Sequence, residues 1–189
     1  MLNEKLRNLA IIQELNRSLQ SMVAYVVAAL EKEVVYEHPK KFTPLAVFAF
    51  GSILDANRFD RDAVRSDFDI LVIVAEDFLA DDFCRIGMHC SPQNAANFVV
   101  LKHFADEKDD CGCDRDAHVV VMSAKNLTWE TDRIASLSDQ DASKLFVGDT
   151  YLTAIASGFA LFNLLDESAL KGLFRLQRIY RALEVKPGH

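Results

Sequence analysis

The chain has 189 residues, 50% hydrophobic and 26% charged, a balance that suits one domain with a sizeable core. Its net charge of −7 and pI near 5.2 argue against broad, sequence-independent nucleic-acid binding, which needs a Lys/Arg surface. They leave binding of a single nucleotide open, because metal ions can supply local positive charge. No apolar run approaches the roughly 18–20 residues of a membrane span, and the first residues alternate charges with Leu unlike a signal peptide. A cytoplasmic location without a membrane partner is therefore expected.

From Leu2 onward, apolar residues recur at helical spacing through Leu6, Leu9, Ile12, Leu15, Leu19, Met22, Val26 and Leu30. This one-sided stripe predicts a long helix, or a pair, packed on the protein's own sheet. It should end before His38-Pro39, since a residue preceding Pro is pushed out of the α region. Residues 45–50, Leu-Ala-Val-Phe-Ala-Phe, form a short apolar run stopped by Gly51-Ser52 and read as a buried strand. A polar loop follows, and then Ser66-Asp67-Phe68-Asp69 leads into Ile70-Leu71-Val72-Ile73-Val74, a second strand.

Ser91-Pro92 resembles a helix start, with a capping residue and Pro at the first helical position, and predicts a helix to about residue 107. Residues 117–122 read as a third strand. Ser138 and Asp141 have the spacing of a capping box, with Asp in place of Glu, and open a helix toward residue 157. Residues 158–162 read as a short strand. Asp166 then caps a final helix expected to turn Leu170, Leu173, Phe174, Ile179 and Leu183 toward the core. The fold class is α+β, a mixed sheet with helices packed on it. One domain over residues 1–189 would comprise a helical segment at 1–38, a sheet core at 45–165 and a C-terminal helix at 166–189.

The residues with chemical potential cluster around the first two strands. Asp67 and Asp69, two apart on a strand, leave the same face, while Phe68 and Ile70 point the other way into the core. Two adjacent carboxylates repel unless a cation lies between them, and Mg²⁺ suits such a pair because it completes its shell with water and phosphate oxygens. Alone, Asp-x-Asp is more often a solvated strand end. The preceding Gly51-Ser52 changes the weighing: Gly51 permits a tight turn, and Ser52 offers a hydroxyl and an amide to a phosphate. Cys84, Cys90, Cys111 and Cys113 match no common zinc spacing and read as free thiols.

Phe50-Gly51-Ser52 followed by Ser66-Asp67-Phe68-Asp69-Ile70-Leu71-Val72 resembles the polymerase-beta-like nucleotidyltransferase superfamily, in particular its minimal single-domain bacterial members. The tight part of the resemblance covers about thirty residues; a looser part reaches residues 158–162. It implies the polymerase-beta-like fold and transfer of a nucleoside monophosphate from an NTP to an acceptor hydroxyl, with release of pyrophosphate. Gly51 and Ser52 would contact the phosphates, and Asp67 and Asp69 would hold two Mg²⁺ ions.

Two departures from that pattern stand out. The loop of residues 53–66 is longer than usual in the family and carries Arg58, Arg61 and Arg65, which read equally well as phosphate or acceptor contacts and as solvated surface. Family members also carry a third carboxylate on a later strand. Here the aligned position is His118, an imidazole able to act as a base, with Asp116 two residues earlier as the alternative catalytic group and metal ligand. The acceptor stays open among a small hydroxylated molecule, a protein and an RNA end, as does a homodimer. A second reading is a non-catalytic nucleotidyltransferase-fold module that binds a protein partner in the manner of an antitoxin. Intact Gly51-Ser52 and Asp67/Asp69 favour activity; a third carboxylate left open between Asp116 and its absence favours the binding module.

Overall fold

The computed structural model describes residues 2–31, 41–51, 67–78, 89–90, 99–103, 116–138, 140–142, 144, 156 and 158–184. Helix α1 (Leu2–Glu31) precedes strand β1 (Pro44–Phe50). Then come β2 (Phe68–Val74), β3 (His89–Cys90), β4 (Val99–His103) and β5 (Ala117–Ser123). Helix α2 (Ala124–Ala135), strand β6 (Phe159–Asn163) and helix α3 (Glu167–Glu184) complete the order. The fold is α+β, as the sequence predicts.

The six strands make one mixed sheet in the order β3-β4-β5-β2-β1-β6. β2 and β5 run parallel at its centre, and every other neighbouring pair is antiparallel. Central parallel strands are covered on both faces and so read as nearly continuous apolar runs. That is the composition of FDILVIV and AHVVVMS, in which every residue but the second is buried.

Each face has its own helical cover. On one, Leu19, Met22, Val26 and Leu30 of α1 pack on Val47, Phe68, Ile70, Val72 and Val119. The described part of the N-terminal stripe thus packs on the sheet, as its spacing predicts. On the other, Leu127 and Ile134 of α2 and Leu173 and Leu176 of α3 pack on Phe48, Leu71, Ile73, Val120 and Met122. Burial of each such side chain contributes about 1.5–3 kcal/mol.

Three expectations need correction. Residues 99–103, expected in a helix, form β4, paired antiparallel with β5 from Val99↔Val121 to His103↔Ala117. The β-branched Val99 and Val100 complete a ladder there, and tertiary pairing outweighs the local helix-start signal. Phe174, expected in the core, is 61% exposed. The buried line of α3 runs instead through Ala169, Leu173 and Leu176, and Phe174, one position after Leu173, lies about 100° around the helix.

The third correction is an omission, since α2 has no counterpart among the expected elements. Its inward positions are Leu127, Glu130, Thr131 and Ile134, and two polar residues in that stripe hide the period. Glu130 is 1% exposed and accepts hydrogen bonds from Arg133 Nη2 at 2.6 Å and Nε at 2.9 Å, which is how a buried carboxylate is tolerated.

Helix starts were more legible. The Asp141 amide donates to Ser138 Oγ at 3.2 Å, and the Ala169 amide donates to Asp166 Oδ1 at 2.8 Å. Among the described residues, no helix is long and apolar enough to cross a membrane.

Candidate active site at the end of the central strands

The N-terminal ends of β2 and β5 lie side by side, with Phe68 paired to Ala117 and Asp69 to His118. The Phe68 amide donates to the Asp116 carbonyl at 2.9 Å, which carries the alignment back to Asp67 and Asp116. Strand alternation then assigns residues 67, 69, 116 and 118 to one face and the fully buried Phe68 and Ala117 to the other.

Three of those side chains approach one another. His118 Nδ1 is 3.7 Å from Asp69 Oδ1 and 3.9 Å from Asp67 Oδ2. Both distances exceed a hydrogen bond, so the imidazole acts on the carboxylates through space. Side-chain exposure is graded, at 44% for Asp67, 39% for His118 and 25% for Asp69. Asp69 is thus the inner group and Asp67 the outer one.

Burial pushes the Asp69 carboxyl above its ordinary range; His118 pulls it back down, and the Asp67 charge adds to the rise. An anion held in that position at neutral pH is costly without a compensating cation.

β1 supplies the third side of the site. Phe50 pairs with Asp69, and the next residue, Gly51, has φ +77°, a backbone conformation that side chains disfavour. A Cβ at Gly51 would overlap Asp69 Oδ2 and sit 2.9 Å from Asp69 Cγ. Glycine is therefore required twice, for the turn and for the room the Asp69 carboxylate occupies.

Of the residues expected from sequence to act together, Gly51, Asp67, Asp69 and His118 converge, with Asp116 immediately before the strand that carries His118. Ser52, Arg58, Arg61 and Arg65 lie outside the described residues, as do Cys84, Cys111 and Cys113. Among the described residues, no group of three or more His, Cys, Asp or Glu side chains is arranged to hold a metal ion. Asp116 is accordingly not gathered with Asp67 and Asp69 into a three-carboxylate cluster. The two remaining carboxylates still suit a hard dication that takes most of its ligands from water and phosphate.

One neighbour escaped the sequence reading. Lys102 of β4 holds the register position paired with His118, and His89 of β3 is paired with Lys102. The signal could have been found only by treating Val99–His103 as a strand. No family model matches the chain, and no curated protein and no solved structure matches it either.

Proposed function

We propose that the chain is a Mg²⁺-dependent nucleotidyltransferase that moves a nucleoside monophosphate from an NTP to an acceptor hydroxyl and releases pyrophosphate. The observation that carries this reading is the convergence of the Gly51 turn, Asp69 and Asp67 with His118 at one end of the sheet. Gly51, Asp67 and Asp69, which carry part of the resemblance to polymerase-beta-like nucleotidyltransferases, are among the residues that meet there, and this supports the reading. The reading extends that resemblance to a polymerase-beta-like fold.

Asp67 and Asp69 would hold the metal, and their adjacent charges become favourable only with a dication between them. When bound, Mg²⁺ would supply a lowered pKa at the acceptor hydroxyl and charge neutralisation at the departing pyrophosphate. His118, within 4 Å of both carboxylates, would take the acceptor proton as general base. The Gly51-Ser52 turn would hold the terminal phosphates by backbone amides and the Ser52 hydroxyl. Arg58 and Arg65, which follow in sequence, would add charge to the phosphates.

The test is pyrophosphate release from each of the four NTPs, with and without Mg²⁺, across small-molecule, protein and RNA acceptors. Asp67→Asn and Asp69→Asn should each reduce turnover by about a thousandfold or more, because metal stabilisation of the transition state is worth several kcal/mol. Absence of Mg²⁺-dependent release with every acceptor would refute the enzyme reading. A second reading rests on one observation, that the residue paired with Asp69 on β5 is His118 and not a carboxylate. A module of this fold that has lost catalysis and binds a protein partner would show NTP-independent association and no turnover.

A further inference from the structure

Helices α2 and α3 pack together on the sheet and leave a groove of about 530 Å³ between their outer surfaces. Its floor is set by a close approach, since a Cβ on Gly172 of α3 would lie 2.8 Å from Thr131 Oγ1 of α2. Arg175 secures one end by donating from Nη2 to the Ala135 carbonyl at 2.9 Å, at the C-terminus of α2. The groove shares no residue with the Asp67–Asp69–His118 site.

Its chemistry runs against that of the chain. The protein carries a net charge of −7, yet among the described residues the groove is lined by Lys171, Arg175 and Arg178 against a single acid, Asp132. Lys171 and Arg178 form no ion pair with a described residue, whereas Arg133, Lys125 and Lys144 each do. Between these cations stands Phe174, 61% exposed. An exposed aromatic flanked by unpaired cations has the composition of a binding hot spot.

We propose that this groove docks an acidic segment of a partner protein, with one bulky apolar side chain seated against Phe174 and carboxylates on either side meeting Lys171 and Arg178. The dimensions favour a peptide over nucleic acid. The groove-lining cations from Lys171 to Arg178 span roughly 10 Å of helix, a short track for a nucleic-acid backbone, and a polyanion would approach a chain whose net charge is −7. An acidic peptide with an apolar anchor needs only that length, and the charge complementarity steers it to this face.

The test begins with selection of a random peptide library on the intact chain. The enriched sequence is then made as a fluorescein-labelled peptide and titrated by anisotropy. Enriched sequences should carry Leu or an aromatic residue flanked by Asp or Glu. Affinity should fall at least about tenfold in Phe174→Ala and in the Lys171→Glu/Arg178→Glu double variant. Trp129→Ala, which removes an exposed aromatic outside the groove, should leave it unchanged. All substituted side chains are exposed, and circular dichroism checks that each variant folds.

Enrichment of sequences without that pattern, or binding retained in both groove variants, would overturn the proposal. So would tighter binding of a labelled oligouridylate that the same variants abolish, which would make the groove a nucleic-acid surface. Sedimentation as a dimer that Phe174→Ala dissociates would also overturn it, because the occupant would then be a second copy.

Discussion

Gly51→Ala tests the geometry of the site through stability alone. The residue has φ +77°, where an L side chain costs roughly 1–2 kcal/mol. The new Cβ also meets the Asp69 carboxylate and must displace it, at about 0.5–1.5 kcal/mol for a side chain forced off its rotamer. Reduced freedom of the unfolded chain returns about 0.4–1 kcal/mol. The net cost is about 2 kcal/mol, or a fall of roughly 4–8 °C in the melting temperature for a chain of this size. In an Asp69→Ala background the carboxylate is gone and only the backbone cost remains, so the same substitution should cost about 1 kcal/mol less. Thermal denaturation of the four proteins, followed by circular dichroism without divalent cations, measures that coupling. Equal costs in the two backgrounds would refute the apposition of Gly51 and Asp69.

The other expectations concern charge, capping and the base. Burial raises the Asp69 carboxyl, so the folded protein binds that proton more readily than the unfolded chain. The group therefore lowers stability as pH rises from the ordinary carboxylate range through its raised pKa. Asp69→Asn should be more stable than the parent at neutral pH without metal, and the gap should close in acid; urea denaturation at several pH values measures it. Ser123, fully buried, accepts from the Asn126 amide at 3.1 Å and caps α2. Ser123→Ala should cost about 1–2 kcal/mol of stability in the same assay. His118→Ala should lower kcat by about 10²–10⁴-fold, with Asp116→Ala the smaller effect; the reverse order would make Asp116 the base.

What could be read from the sequence follows from how local each signal is. The central strands announce themselves, because a strand buried on both faces needs an unbroken apolar run such as Ile70-Leu71-Val72-Ile73-Val74. Asp67 and Asp69 interrupt the pattern where burial ends, so they stand out, and Gly51 marks the end of β1 by its own chemistry. The caps at Ser138 and Asp166 are equally local. Strand β4 was not legible, since its short run of Val99-Val100-Leu101-Lys102-His103 shows no strand alternation of its own and the cue at Ser91-Pro92 suggested a helix. Helix α2 was hidden by Glu130 and Thr131, whose burial depends on Arg133 and on the close approach of Gly172. The placement of His118 against both carboxylates needed the parallel register of β2 with β5, which no spacing within either segment encodes.

Calorimetric titration of the chain with a non-hydrolysable NTP, in the presence and absence of Mg²⁺, bears most directly on the role of the two carboxylates. Binding should require Mg²⁺ and should disappear in Asp69→Asn, which keeps the shape of the side chain and removes its charge. Binding of equal strength without Mg²⁺, or binding retained in Asp69→Asn, would contradict a metal-bridged nucleotide site at Asp67 and Asp69.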